Sequence, residues 1–332
     1  MTQVKPKEQR GFSLVEVFIA LAIGVFILTG LLSVFVGIRA TAITTASYGE
    51  LQENGRFAIS LLTDDISKQD FWGDYIGPLN FLTISHSLEK PKNDCTGGGI
   101  NNGSFPLAVG HFRTLWGQTV KGLNPMGCFN NAKIGSDVIQ LKRVLTKPLL
   151  GLGAAPPTLA PQGNYHLVTN THKGILFNSR KVPNLDSSRV WQYQHHVYYI
   201  KEEKVGSYSV PVLMQGRLTK KMSFSPIIEG IEMIRFMYGY DHDSDPLADS
   251  YGVVDAFISA DNMTDRLWDN AGGSNIIAIK IYVLVRNIKP DNSYDNTNTY
   301  LLGDLSLTFN DHYRRLLFST TVTLYNTRID LW

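Results

Sequence analysis

From residue 17 to residue 38 the chain carries no charged side chain, a run of 22 residues that ends at Arg39. As an α-helix rising 1.5 Å per residue it measures about 33 Å, enough to cross a bilayer core of roughly 30 Å. One membrane-spanning helix is predicted. A buried core helix of a soluble protein is the poorer reading, because so long a run without charge suits lipid better. Beyond it the pattern turns amphipathic. Residues 48–67 hold no proline, and Leu51, Phe57, Ile59, Leu62 and Ile66 recur at mixed spacings, several of three or four, with Glu50, Glu53, Arg56, Asp64 and Asp65 between them. That periodicity predicts that the helix continues past the span. Helical from Phe12 to about Lys68, it would form a rod roughly 85 Å long, half in lipid and half packed along a soluble head. Gly24, Gly30, Gly37 and Gly55 each weaken it by about 1 kcal/mol relative to Ala. They are places where neighbouring helices could approach or the rod could unwind.

After Gly73 the pattern switches from helix to strand and loop. Strands are expected at 137–145, 190–200, 231–240, 276–286 and 316–325, most of them rich in β-branched and aromatic residues. In the fourth, Ile277, Ile279, Ile281, Val283 and Val285 share one face while Lys280 and Arg286 fall on the other, as in an antiparallel sheet packed on one side. The long helix is the natural cover. Gly/Asn-rich or Pro-rich loops separate the strands at 97–103, 150–162, 261–275 and 290–298. The expected organisation is a leader at 1–11, a transmembrane half-helix at 12–39, an amphipathic half at 40–72 and a β-rich head at 73–332. The fold class is α+β.

Composition changes this picture little. With 332 residues, 43% hydrophobic and 18% charged, the chain is long enough for one large core or two small ones beyond the span. The formal charge of +2 resides in the leader: taking away Lys5, Lys7 and Arg10 together with Glu8 leaves 28 basic and 28 acidic residues. Nonspecific attraction to nucleic acid therefore finds little support in net charge. Both cysteines, Cys95 and Cys128, follow the span, and in an oxidising compartment they can pair. The alternative is two unrelated buried thiols, and the absence of a C-x-x-C pair argues against a zinc site.

The candidate chemistry begins just before the span. Gly11-Phe12-Ser13-Leu14-Val15-Glu16 follows the basic leader and places a single carboxylate, Glu16, at the entrance of the membrane helix. A charge there is expensive and points to function. A secretory signal peptide would explain the basic start and Ala40-Thr41-Ala42, but its apolar region is shorter, about 7–15 residues, and lacks such a carboxylate. A plain signal anchor explains the topology, with residues 1–11 cytoplasmic, but not the Gly-Phe-x-x-x-Glu order. The stretch resembles the class III signal of type IV prepilins. That resemblance implies cleavage after Gly11 by a prepilin peptidase, N-methylation at Phe12, and a pilin-like fold with a long N-terminal helix packed on an antiparallel sheet. Glu16 then has two readings, a carboxylate serving its own helix start or a docking group for the amino terminus of a neighbouring subunit.

Further on, Gln52-Glu53-Asn54-Gly55-Arg56-Phe57-Ala58, Leu61-Leu62-Thr63-Asp64-Asp65-Ile66, Phe71-Trp72-Gly73 and Gly135-Ser136-Asp137-Val138-Ile139 leading into Lys142-Arg143 are similar to minor pilins of PilW type. Relatives often carry a cysteine after the aromatic-glycine pair where this chain has Asp74, so no family disulfide pattern transfers. The resemblance implies a non-catalytic inner-membrane protein with a periplasmic head that enters a pilus. Its implied partners are membrane lipid, prepilin peptidase, other minor pilins, the major pilin and the inner-membrane assembly machinery. The work implied is assembly initiation or a tip complex serving motility, adhesion or DNA uptake. A J-type pseudopilin of type II secretion and a tip adhesin or DNA receptor remain as alternatives.

In the head, Asp241, Asp243, Asp245 and Asp249 stand at loop positions one, three, five and nine, a spacing by which calcium loops collect oxygens. Pro246 replaces the turn glycine and Gly252 the bidentate acid, although Asp255 could reach in; a solvated turn is the competing reading. No cofactor is required. Enzymatic signals are weak: His195 and His196 are consecutive in an expected strand, hence on opposite faces with no acidic partner marked nearby, and Gly97-Gly98-Gly99 lacks the Lys-Ser/Thr of a phosphate loop.

Overall fold

The computed structural model describes residues 11–77, 79–151, 157–206, 208–243 and 250–327. One helix, α1 (Leu14–Ser67), opens the described chain, which divides between Glu50 and Leu51 into two compact units. In the first unit α1 exposes its apolar side chains, Phe18, Phe26 and Phe35 among them, and is long and apolar enough to cross a membrane. Gly24, Gly30 and Gly37 lie within continuous helix and a side chain on any of them would meet nothing, so they neither break the helix nor serve packing within this chain.

The second unit begins with the last part of α1, whose stripe of Leu51, Gly55, Ala58, Leu62, Asp65 and Ile66 is buried. Its spacing of three and four residues is that of one helix face. The strands that follow are β1 (Ile84–His86), β2 (Leu115–Thr119), β3 (Asp137–Val144), β4 (His166–Thr169), β5 (Gly174–Phe177), β6 (Arg189–Val205), β7 (Tyr208–Leu218), β8 (Met222–Glu229), β9 (Ile231–Asp241), β10 (Ala256–Ser259), β11 (Asn275–Arg286), β12 (Thr299–Leu302), β13 (Leu305–Thr308) and β14 (Arg315–Thr323). A short helix, α2 (Asp265–Trp268), precedes β11.

The 17-residue β6 is the spine of the larger sheet. Its first residues pair with β4, its middle with β3 and its last part with β7, all antiparallel. The sheet order is β1-β5-β4-β6-β3-β2, with β7 and β8 branching from β6 and a single parallel pair, β1 with β5. The second sheet runs β10-β9-β11-β14, antiparallel throughout. The two sheets meet where β9 passes β3: the Phe236 N–H donates to Asp137 at 2.8 Å, and Ser136 Oγ accepts from the Ile234 N–H at 3.2 Å.

The five expected strands are β3, β6, β9, β11 and β14, and the helix does cover sheet. A side chain on Gly55 would come within 2.1 Å of the Phe318 ring on β14, so only glycine lets α1 lie this close. The approach that Gly55 permits is therefore to the protein's own sheet. The expectation that β11 packs on one side is corrected. Ile279, Ile281, Val283 and Val285 are buried as expected, but Leu284 on the other face is also buried, beneath the β12–β13 hairpin with Met233 and Leu302.

Candidate functional site

At the start of α1, Ser13 precedes the first helical residue and caps it. The Ser13 hydroxyl accepts from the Val15 N–H at 3.4 Å, and Glu16 reaches back to accept the Ser13 N–H at 3.1 Å. This is the reciprocal arrangement of a capping box, in which a hydroxyl and a carboxylate three residues on satisfy donors that the first turn leaves unpaired. Gly11, Phe12 and Glu16 are all exposed within this unit. Glu16 thus holds one hydrogen bond of its own helix and keeps its other oxygen available to a partner.

Inside the second unit, α1 is fastened to the head through Asp65. Its Oδ1 accepts from Arg143 Nε at 2.8 Å and Nη2 at 2.6 Å, and its Oδ2 meets His196 Nδ1 at 2.5 Å and accepts from the Tyr198 hydroxyl at 2.8 Å. Gln215 in turn donates to that hydroxyl at 2.5 Å. Burial would raise the Asp65 carboxyl, but the hydrogen bond and charge of His196, the Arg143 guanidinium and the Tyr198 hydroxyl outweigh it and hold the group well below the usual carboxylate range. One helical carboxylate therefore binds strands β3 and β6 together. Sequence reasoning missed this role for Asp65, Arg143, His196 and Tyr198. The available signal was a carboxylate at 65, placed by helical spacing on the stripe of Ala58 and Leu62.

The two histidines do project to opposite faces, but the expectation that no acid stands near them is corrected. His196 meets Asp65, and His195 Nδ1 lies 2.8 Å from Ser104 Oγ, which itself donates to Asp94 at 2.6 Å. Both acids come from segments remote in sequence, which is why a local reading could not find them. Asp74 pairs with Arg189. The preceding Gly73 adopts a positive φ of 71° against the Trp191 indole, leaving no room for a side chain.

Cys95 and Cys128 form a disulfide, with Cα atoms 5.0 Å apart and a sequence separation of 33. In the chain-entropy account a loop of this length stabilises the fold by about 3–4 kcal/mol. Of the acidic loop, Asp245 and Asp249 lie outside the described residues. Asp241 is buried at the end of β9 and accepts the N–H groups of Asp243 and Gly252, at 2.8 and 2.5 Å, while Asp255 accepts that of His242 at 2.7 Å. Those contacts commit both Asp241 oxygens to backbone N–H groups.

A capped apolar helix leading into a β-rich head is the layout of an α+β, pilin-like fold. The family model of the prokaryotic N-terminal methylation motif matches residues 6–32, and that of the type IV pilus-assembly protein W matches residues 197–326, from β6 to just past β14. The two matches, at opposite ends of the chain, support a PilW-type pilin with a prepilin signal, a minor pilin related to the type IV pilus. No curated protein and no solved structure matches the chain. Families of this kind are structural, are processed at the methylation motif and interact with other pilus components.

Proposed function

We propose that this chain is a non-catalytic minor pilin that helps initiate type IV pilus assembly or forms its tip complex. In this reading the head faces the periplasm until the subunit, cleaved between Gly11 and Phe12 by prepilin peptidase and methylated at Phe12, leaves the inner membrane for the pilus. Other minor pilins, the major pilin and the inner-membrane machinery are its partners. The observation that supports the reading best is the pairing of an exposed apolar helix with a carboxylate, Glu16, that has one oxygen committed to Ser13. In lipid such a carboxylate gains by meeting a cation, and the new amino group of a neighbour's Phe12 is the cation that processing creates. That ion pair favours one axial register between helices. Calcium binding by Asp241, Asp243, Asp245 and Asp249 is a separate proposal, tested by whether calcium shifts the melting curve of the protein but not that of Asp243→Ala.

The deciding experiment is mass spectrometry of the mature chain from cells. A first residue of N-methylated Phe12 is expected. A mature protein that keeps residues 1–11 would end the pilin reading.

A further inference from the structure

Lys142 is unusual among the lysines of this chain: its side chain lies on β3 in the interior and is fully buried. Its Nζ contacts three oxygens, the Arg113 carbonyl at 2.5 Å, the Asn102 carbonyl at 3.1 Å and the Asn102 side-chain Oδ1 at 3.3 Å. No carboxylate of the described residues lies within ion-pair distance of it. Burial drives the ammonium toward the neutral amine, with Asp94 opposing and Arg113 reinforcing that trend. A neutral primary amine is a nucleophile.

Asn102 is equally buried and presents an unusual carboxamide. Gln140 Nε2 donates to its backbone oxygen at 2.6 Å and stands 3.5 Å from Oδ1, where it would steady negative charge developing on that oxygen. Its Nδ2 is buried without a hydrogen-bond partner and faces Gly97. A buried amide nitrogen normally finds an acceptor, so this orphan calls for an explanation.

His195 is the direct cross-strand partner of Lys142 and is itself wholly buried. The single Ser104 hydroxyl proton is given to Asp94, so the contact between Ser104 Oγ and His195 Nδ1 requires the proton on Nδ1. That leaves Nε2 as a bare base, buried and without a partner.

We propose that Lys142 and Asn102 become joined by an isopeptide bond. Lys142 Nζ forms a bond to Asn102 Cγ, the Cγ–Nδ2 bond breaks, and the amine proton passes to the departing nitrogen, which leaves as ammonia. Amine and amide give amide and ammonia, so no oxidant, reductant or cofactor is consumed. Proximity and exclusion of water supply the rate, as for any pair of reactants held in one orientation. His195, the cross-strand neighbour of Lys142, takes no proton, because the proton leaves with ammonia. The product ties the 97–103 loop to β3 by a link that reductants do not cleave, just after Cys95 of the disulfide.

The test is the mass and tryptic map of the full chain purified in detergent. The expected result is a chain lighter by one ammonia than its disulfide-bonded sequence, with no cleavage at Lys142 and a branched peptide joining the Asn102 and Lys142 segments. Asn102→Ala should abolish the branch and restore cleavage at Lys142 in whatever protein folds. The wild-type map decides the matter even if that variant does not accumulate. A linear peptide ending at Lys142, or Lys142 fully labelled by an amine reagent after denaturation, would overturn the proposal. So would loss of ammonia in a linear peptide, because a succinimide at Asn102-Gly103 has the same mass without the branch.

Discussion

Asp65 shares its helix face with Ala58 and Leu62, and it is the carboxylate there that three head side chains, Arg143, His196 and Tyr198, organise around, with Gln215 behind Tyr198. Replacing it by Ala leaves Arg143 buried and unpaired, and such a break costs about 3–5 kcal/mol. Denaturant unfolding of Asp65→Ala should show a midpoint lowered accordingly, and an unchanged midpoint would mean that the head does not rely on this pair. The pH dependence has a definite sign. The folded Asp65 carboxyl lies below its unfolded value of 3.8, so its contribution is complete above that value and is lost as pH falls through the acid range. Asp137 behaves oppositely. Burial pushes it up to about 6 despite Arg235, the Phe236 N–H and Thr119. Its folded form binds the proton more tightly than the unfolded chain, so this group adds stability as pH drops from 7 toward 5. Asp137→Asn should flatten the stability profile across that window, which thermal melts at both pH values would measure. At this scale the sequence was legible where chemistry is local: Glu16 within its hexapeptide and the two lone cysteines. It was opaque at His195 and His196, because Asp65, Ser104 and Asp94 reach them only through tertiary structure.

Among the elements, those with a strong pattern were readable and those defined by their neighbours were not. β3, β9, β11 and β14 carry dense β-branched and aromatic runs, and the expected bounds fall within a few residues of the observed ones. β6 runs on from Ile200 to Val205 through Lys201-Glu202-Glu203-Lys204, which reads as loop until its pairing with β7 is known. β7 itself contains Pro211, and β8 is largely exposed, so neither shows a clean alternation. A proline lacks the N–H that a ladder uses and weakens any strand reading. The helix-to-sheet contact at Gly55 can be tested alone. Gly55→Leu forces a side chain into the Phe318 ring and should lower stability by about 1–3 kcal/mol or more. Gly24→Leu has no such neighbour in this chain and should not lower the melting temperature.

For the whole molecule, the apolar helix and the β-rich stretch were legible as different because their compositions differ; the two compact units divide between Glu50 and Leu51, inside the stretch expected as amphipathic helix. Reducing the Cys95–Cys128 link should destabilise the head by about 2–4 kcal/mol without touching the span, read as a lowered denaturation midpoint after reductant. In the proposed assembly, Glu16→Ala should leave membrane insertion and cleavage at Gly11 intact and diminish crosslinking to other minor pilins; unchanged crosslinking and pilus yield in cells lacking the native copy would exclude the docking role. The capping bond to Ser13 gives that docking a further property. Because the cap occupies one carboxylate oxygen of Glu16, the other is the one that a neighbour's amino terminus would meet in the proposed assembly. Docking would then leave the start of the helix intact, and one side chain would serve both the cap and the joint.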